Sequence, residues 1–157
     1  MRDVVRGLLG MQNRNEGTGE QAQADPSPMS PEREIDSQIL VVEDELDTVV
    51  ELGEWLDLKK MKYVATNEPN HAIEVVTHNE SIKLLIVDAY MSRMSGYSLI
   101  ASINTQMPSR RKLRLIIVTG HPSEEDYENA ARLGVSVFEK PLDLDALERV
   151  LRDGLRD

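Results

Sequence analysis

The sequence predicts an α/β fold, with a parallel sheet of five strands in the order 2-1-3-4-5 and five helices. Three observations predict it. From Gln38 onward, short runs rich in Val and Ile alternate with stretches of helical periodicity. The alternation is strict, which calls for right-handed β-α-β units and a parallel sheet with helices on both faces. Five strands in roughly 120 residues fit the flavodoxin-like doubly wound order.

The strand runs are 39–42, 63–65, 84–87, 115–118 and 135–138. Continuous apolar runs of this length read as strands buried on both faces. The first helix, 48–60, places Val49, Leu52 and Leu56 on one face, and the second, 69–78, does so with Ala72, Ile73 and Val76. The third, 97–105, contributes Leu99, Ile100 and Ile103. The fourth, 123–133, opens with Ser123 and has Asp126 three residues on, a capping-box start. The fifth, 143–155, opens with Asp143 as cap, and Leu142 and Leu147 stand at staple spacing across it.

Composition narrows the function classes. Apolar residues make up 40% and charged residues 29%, which is globular. Aromatics are few, Trp55, Phe138 and four tyrosines, so the core must be aliphatic. The absence of cysteine excludes a disulfide scaffold, a zinc-thiolate site, an iron–sulfur cluster and a thiol nucleophile. A net charge of −10 argues against broad binding to nucleic acid or anionic membrane and suits a hard cation or a basic partner. No run approaches the roughly 18 apolar residues of a membrane span. Arg6 splits the apolar residues of the N-terminus, so no signal peptide is read there and a cytoplasmic setting is expected. Residues 1–37 hold Gly17, Gly19, Pro26, Pro28 and Pro31 among polar residues and are expected to be a disordered extension, with 38–157 as the domain. Val4/Leu8 and Val5/Leu9 have i,i+4 spacing, but a frayed terminus is the plainer reading.

Ligands of such sheets sit beyond the carboxyl ends of the strands. Glu43, Asp44 and Glu45 follow the first strand, and Asp88 follows the third. Thr119 and Gly120 follow the fourth, and Lys140 then Pro141 follow the fifth. The predicted order brings these groups to one rim. Crowded carboxylates repel and call for a cation. A hard, oxygen-seeking ion such as Mg²⁺ meets that need and usually takes one or two carboxylates plus phosphate oxygens. An ammonium and a hydroxyl opposite would suit the remaining oxygens of a phosphoryl group. The rim therefore reads as metal plus phosphate, with a carboxylate placed to attack phosphorus.

These segments resemble the receiver domains of two-component response regulators. The matching text is Ile39-Leu-Val-Val-Glu-Asp-Glu45, Leu84-Leu-Ile-Val-Asp88, Met91-Ser-Arg-Met-Ser-Gly96, Ile116-Ile-Val-Thr-Gly120 and Phe138-Glu-Lys-Pro141. The resemblance runs from Gln38 to about Leu155. It implies that Asp88 is the phosphoacceptor and that Glu43 and Asp44 hold Mg²⁺ together with Asp88 and the backbone carbonyl of Tyr90. It further implies that Thr119 meets the phosphoryl group, that Lys140 pairs with its oxygens and that the Lys140–Pro141 bond is cis. A histidine kinase or histidine phosphotransfer protein is the implied donor. A downstream protein partner is implied on the face of helix 4, strand 5 and helix 5.

Four positions stand out against the pattern. Ser92 stands where the family usually has proline, which removes a fixed φ. Val137 stands where the family usually has a Tyr or His that turns inward on phosphorylation. Tyr90 and His121 occupy the places that influence phosphoryl lifetime, and a bulky Tyr90 implies slow self-dephosphorylation. The implied function is a switch or phosphorelay intermediate that catalyses its own phosphorylation and dephosphorylation. The length and the acidity leave no expected room for a DNA-binding or enzymatic output. A receiver-like scaffold that takes no phosphate is the alternative, supported by Val137 and Ser92. An aspartate-nucleophile phosphohydrolase is disfavoured, because such enzymes need a second acid where Tyr90 stands. The acidic turn after the first strand disfavours a dinucleotide binder. His71 and His78, seven apart in a helix and without an acid or Cys partner at metal spacing, are given no role; His121 reads as a loop residue, Met91 and Met94 as loop packing, and the basic run 110–114 as a solvated loop.

Overall fold

The computed structural model describes residues 36–108 and 111–156. Its strands are β1 (Ile39–Val42), β2 (Tyr63–Thr66), β3 (Leu84–Asp88), β4 (Arg114–Thr119) and β5 (Ser136–Glu139). They pair in parallel in the order β2-β1-β3-β4-β5. Between and after them run α1 (Leu46–Leu58), α2 (Pro69–His78), α3 (Gly96–Gln106), α4 (Glu124–Leu133) and α5 (Leu144–Arg156). This is the predicted doubly wound sheet. The expected disorder of 1–37 and the short helix at Val4–Leu9 fall outside the described residues, apart from Asp36 and Ser37. Asp36 forms an ion pair with Lys62.

The central strands form the core. Every residue of Ile39–Val42 and of 84–87 is buried, with helix residues Leu56, Ala72, Val76, Leu99, Ile100, Ile103, Leu147 and Leu151 packed to full burial. Register then positions the rim. Val42 is opposite Val87, so Glu43 comes level with Asp88. Asp88 is opposite Val118, and Thr119 is opposite Glu139, with Lys140 next in the chain. Gly96 allows α3 to start against this rim, since a Cβ there would lie 2.4 Å from the Asp88 carbonyl oxygen.

Three expectations need correction. The first helix starts at Leu46, not at 48, and Glu45 caps it with its backbone alone. Its first turn is polar or exposed, so apolar periodicity could not mark it. The fifth strand is not buried: Ser136 and Glu139 are exposed, and Val137 and Phe138 only half-buried, because β5 is an edge strand with β4 as its single neighbour. The basic run is not simply a solvated loop. The Arg111 guanidinium donates to the carbonyl of Val76, to that of Asn79 at 2.6 Å and to that of Ile82 at 2.9 Å. It thereby satisfies carbonyls at and beyond the end of α2, and burial lowers its pKa.

Candidate functional site

The strand ends bring Glu43, Asp44, Asp88 and Lys140 together. One carboxylate oxygen each from Glu43, Asp44 and Asp88 lies within 4.8 Å of the others. Glu43 is buried, Asp88 half-buried and Asp44 exposed. The Lys140 Nζ donates to Glu43 Oε2 at 3.1 Å and stands 3.8 Å from Asp88 Oδ2. The Lys140–Pro141 bond is cis.

Burial pushes the Glu43 carboxyl up to about 7, with the Asp88 charge adding to it. The N–H of Glu45, 3.0 Å from Glu43 Oε1, and the Lys140 ammonium hold it down in part. Burial acts to lower the Lys140 pKa, but the charges of Glu43 and Asp88 outweigh it and the net direction is upward. The ammonium is therefore firmly charged at neutral pH.

Thr119 ends β4 fully buried, and its hydroxyl has no hydrogen-bond partner among the described residues. Buried hydroxyls ordinarily find a partner. Its backbone carbonyl accepts from the Lys140 N–H at 2.8 Å, which fixes the two strand ends side by side.

Sequence reasoning missed three contacts. The Ser92 N–H donates to Asp44 Oδ2 at 2.8 Å. Proline has no N–H, so this bond exists because Ser92 departs from the family pattern. Arg93 pairs with Glu68, joining the β3–α3 and β2–α2 loops. Tyr90, although 61% exposed, donates its hydroxyl to Asp126 Oδ1 at 2.8 Å and to Oδ2 at 3.0 Å. Of these, only the capping-box role of Asp126 carried a signal in the sequence. A groove of about 510 Å³ between α3 and α4 is lined by Tyr90, Tyr97, Asp126 and Arg132 among others, and the acidic cluster lies outside it.

The donor set fits Mg²⁺. The three clustered carboxylates offer only oxygens, the preference of a hard cation, and the exposure of Asp44 leaves space for the waters Mg²⁺ keeps. A raised Glu43 is what a buried acid shows beside a second carboxylate.

A doubly wound sheet with an acidic cluster, a lysine and a buried hydroxyl without a partner among the described residues defines an α/β module with a polar ligand rim. The response regulator receiver domain family model matches residues 39–152, and the chain belongs to that family. It is a module of two-component signalling. The two-component response regulator PprB of Pseudomonas aeruginosa is 29% identical over 105 residues, covering 66% of this chain and 38% of that protein. The chain spans about a third of the length of the curated relatives it matches. A response regulator receiver protein of Pseudomonas putida has a TM-score of 0.67 at 27% identity, over 74% of this chain and 96% of that one. The receiver domain of Ssk1 from Saccharomyces cerevisiae, solved with the histidine phosphotransfer protein Ypd1, shares the fold, with a TM-score of 0.61 at 21% identity over 71% of this chain and 83% of that one. Among the described residues, no helix is long and apolar enough to cross a membrane.

Proposed function

We propose that Asp88 is the phosphoacceptor of a signalling switch or phosphorelay intermediate. The observation that carries this reading is the convergence of three carboxylates with Lys140 at 3.8 Å from Asp88. Glu43, Asp44, Asp88 and the Tyr90 carbonyl would hold Mg²⁺. Bound there, Mg²⁺ supplies positive charge to the phosphoryl oxygens. An Asp88 carboxylate oxygen bonds to phosphorus as the P–N bond of a donor phosphohistidine breaks, and the imidazole leaves with the electron pair. The Lys140 ammonium faces the negative charge on the transferred group. The Thr119 hydroxyl, without a partner among the described residues, gains a phosphoryl oxygen as acceptor.

The donor in this reading is a histidine kinase or a histidine phosphotransfer protein, and the Ssk1 receiver was solved with a protein of the second kind. In the same reading the face of α4, β5 and α5 meets a downstream protein. Intact-mass spectrometry after incubation with acetyl phosphate and Mg²⁺ tests the reading. One phosphoryl adduct is expected on the wild type and none on Asp88→Asn. No adduct on either, with no beryllofluoride binding, would replace this reading with a receiver-like scaffold acting by protein contact.

A further inference from the structure

The exposed Tyr90 has a fixed hydroxyl, and that contact links two places that the sequence separates by 36 positions. At one end, the Tyr90 N–H donates to Asp88 Oδ1 at 3.2 Å. At the other, the Tyr90 hydroxyl reaches both oxygens of Asp126, which is only 2% exposed. Asp126 sits in the first turn of α4. Its Oδ2 accepts from the Ser123 N–H at 2.7 Å and from the Ser123 hydroxyl at 2.8 Å, closing the capping box. The Tyr97 hydroxyl donates to the Asp126 carbonyl at 3.3 Å. A buried carboxylate held by a few donors is sensitive to the loss of any one of them.

We propose that Tyr90 is a positioning residue that ties the Asp88 loop to the first turn of α4 through Asp126, and that the state of Asp88 reaches α4 by this tie. The inference rests on the phosphoacceptor reading of Asp88 and adds the route of its output. When Asp88 forms an acyl phosphate, its carboxylate loses charge and one oxygen becomes the bridging oxygen of a mixed anhydride. The acceptor of the Tyr90 N–H is thereby changed. Tyr90 then shifts at its backbone, and Asp126 loses or re-aims a donor where the capping box starts α4. Strand β5 carries no aromatic at position 137 to perform this task, since Val137 stands there, half-buried.

The test uses the full chain, Tyr90→Phe and the exposed control Tyr127→Phe, with Mg²⁺ and beryllofluoride as the phosphoryl mimic. Tyr90 is exposed, so the Phe variant removes a hydroxyl without opening a cavity. Fluorine NMR reports binding at Asp88, and amide shifts report Ala89, Tyr90 and the residues 123–128. In the wild type and in Tyr127→Phe, both sets of amides move. In Tyr90→Phe saturated with beryllofluoride, the response of 123–128 relative to that of Ala89 falls roughly threefold or more. An undiminished α4 response in Tyr90→Phe with beryllofluoride bound overturns the tie alone. No bound fluorine signal in the wild type overturns the phosphoacceptor reading, and the tie with it. Amide hydrogen exchange without the mimic adds a second reading: Asp126 and Tyr127 exchange several-fold faster in Tyr90→Phe if the tie supports α4, and an unchanged rate counts against it.

Discussion

Glu43 shows how one side chain on this rim stores a conditional free energy. Its carboxyl is pushed up to about 7 from an ordinary 4.5, chiefly by burial. Between those values the folded protein keeps a proton that the unfolded chain has released. The metal-free fold therefore loses stability as pH rises from about 4.5 to about 7. A decline of about 3 kcal/mol is expected from urea unfolding in the presence of a chelator. Glu43→Gln has no proton to lose and should flatten that slope; an equally steep slope would place the titration elsewhere. Gly96 carries a purely steric constraint. Gly96→Ala drives a Cβ to 2.4 Å from the Asp88 carbonyl, and unfolding should show a loss of about 1–3 kcal/mol. At this scale the sequence was informative where a side chain stands at a strand end, as Glu43, Asp88, Thr119 and Lys140 do. It was silent where a backbone group is the partner. The Ser92 N–H on Asp44 and the Arg111 bonds to three carbonyls leave no residue-type pattern to read.

Elements raise a different question, which is how their ends are made. α1 and α4 both finish on a left-handed residue. After α4 it is Gly134 at φ 67°, where glycine meets no steric penalty. After α1 it is Lys60 at φ 57°. The Lys60 N–H bonds the Asp57 carbonyl and the Met61 N–H bonds that of Leu56, the paired closure of a Schellman motif. A side chain in this conformation costs roughly 1 kcal/mol. Lys60→Gly should therefore raise the unfolding free energy by up to about 1 kcal/mol, and Gly134→Ala should lower it by a similar amount. Nothing lies within 4 Å of a Cβ placed on Gly134, so its loss would be conformational strain alone. Opposite results in denaturant melts would show that neither cap sets its helix end. Helix existence was legible because Leu99, Ile100 and Ile103, for example, recur at helical spacing and are all fully buried. The exposed start of α1 and the edge position of β5 were not legible. The first opens on Leu46, which faces solvent and adds nothing to the buried stripe, and the second depends on which strands flank it, a property of the assembled sheet.

Across the whole molecule, an excess of acid makes specificity the difficult point. With a net charge of −10, any added cation stabilises the fold by screening its self-repulsion. A rise in melting temperature with MgCl₂ is therefore not in itself a sign of a site. The geometry separates the two effects. Screening acts on all exposed acids alike, whereas the cluster of Glu43, Asp44 and Asp88 gathers three oxygens within 4.8 Å. A cation bound only by the folded state adds RT ln(1 + [L]/Kd), about 2.7 kcal/mol at a hundredfold excess over Kd. The wild type should gain this increment in MgCl₂ beyond NaCl of matched ionic strength. Asp44→Asn keeps the shape of the rim and a side-chain oxygen for the Ser92 N–H, but it removes one charge from the cluster. Its titration should shift to higher Mg²⁺ while its response to NaCl stays that of the wild type. If both proteins respond to MgCl₂ only as they do to NaCl, the cluster is a repulsive patch offset by Lys140, and the Mg²⁺ role assigned to it is wrong.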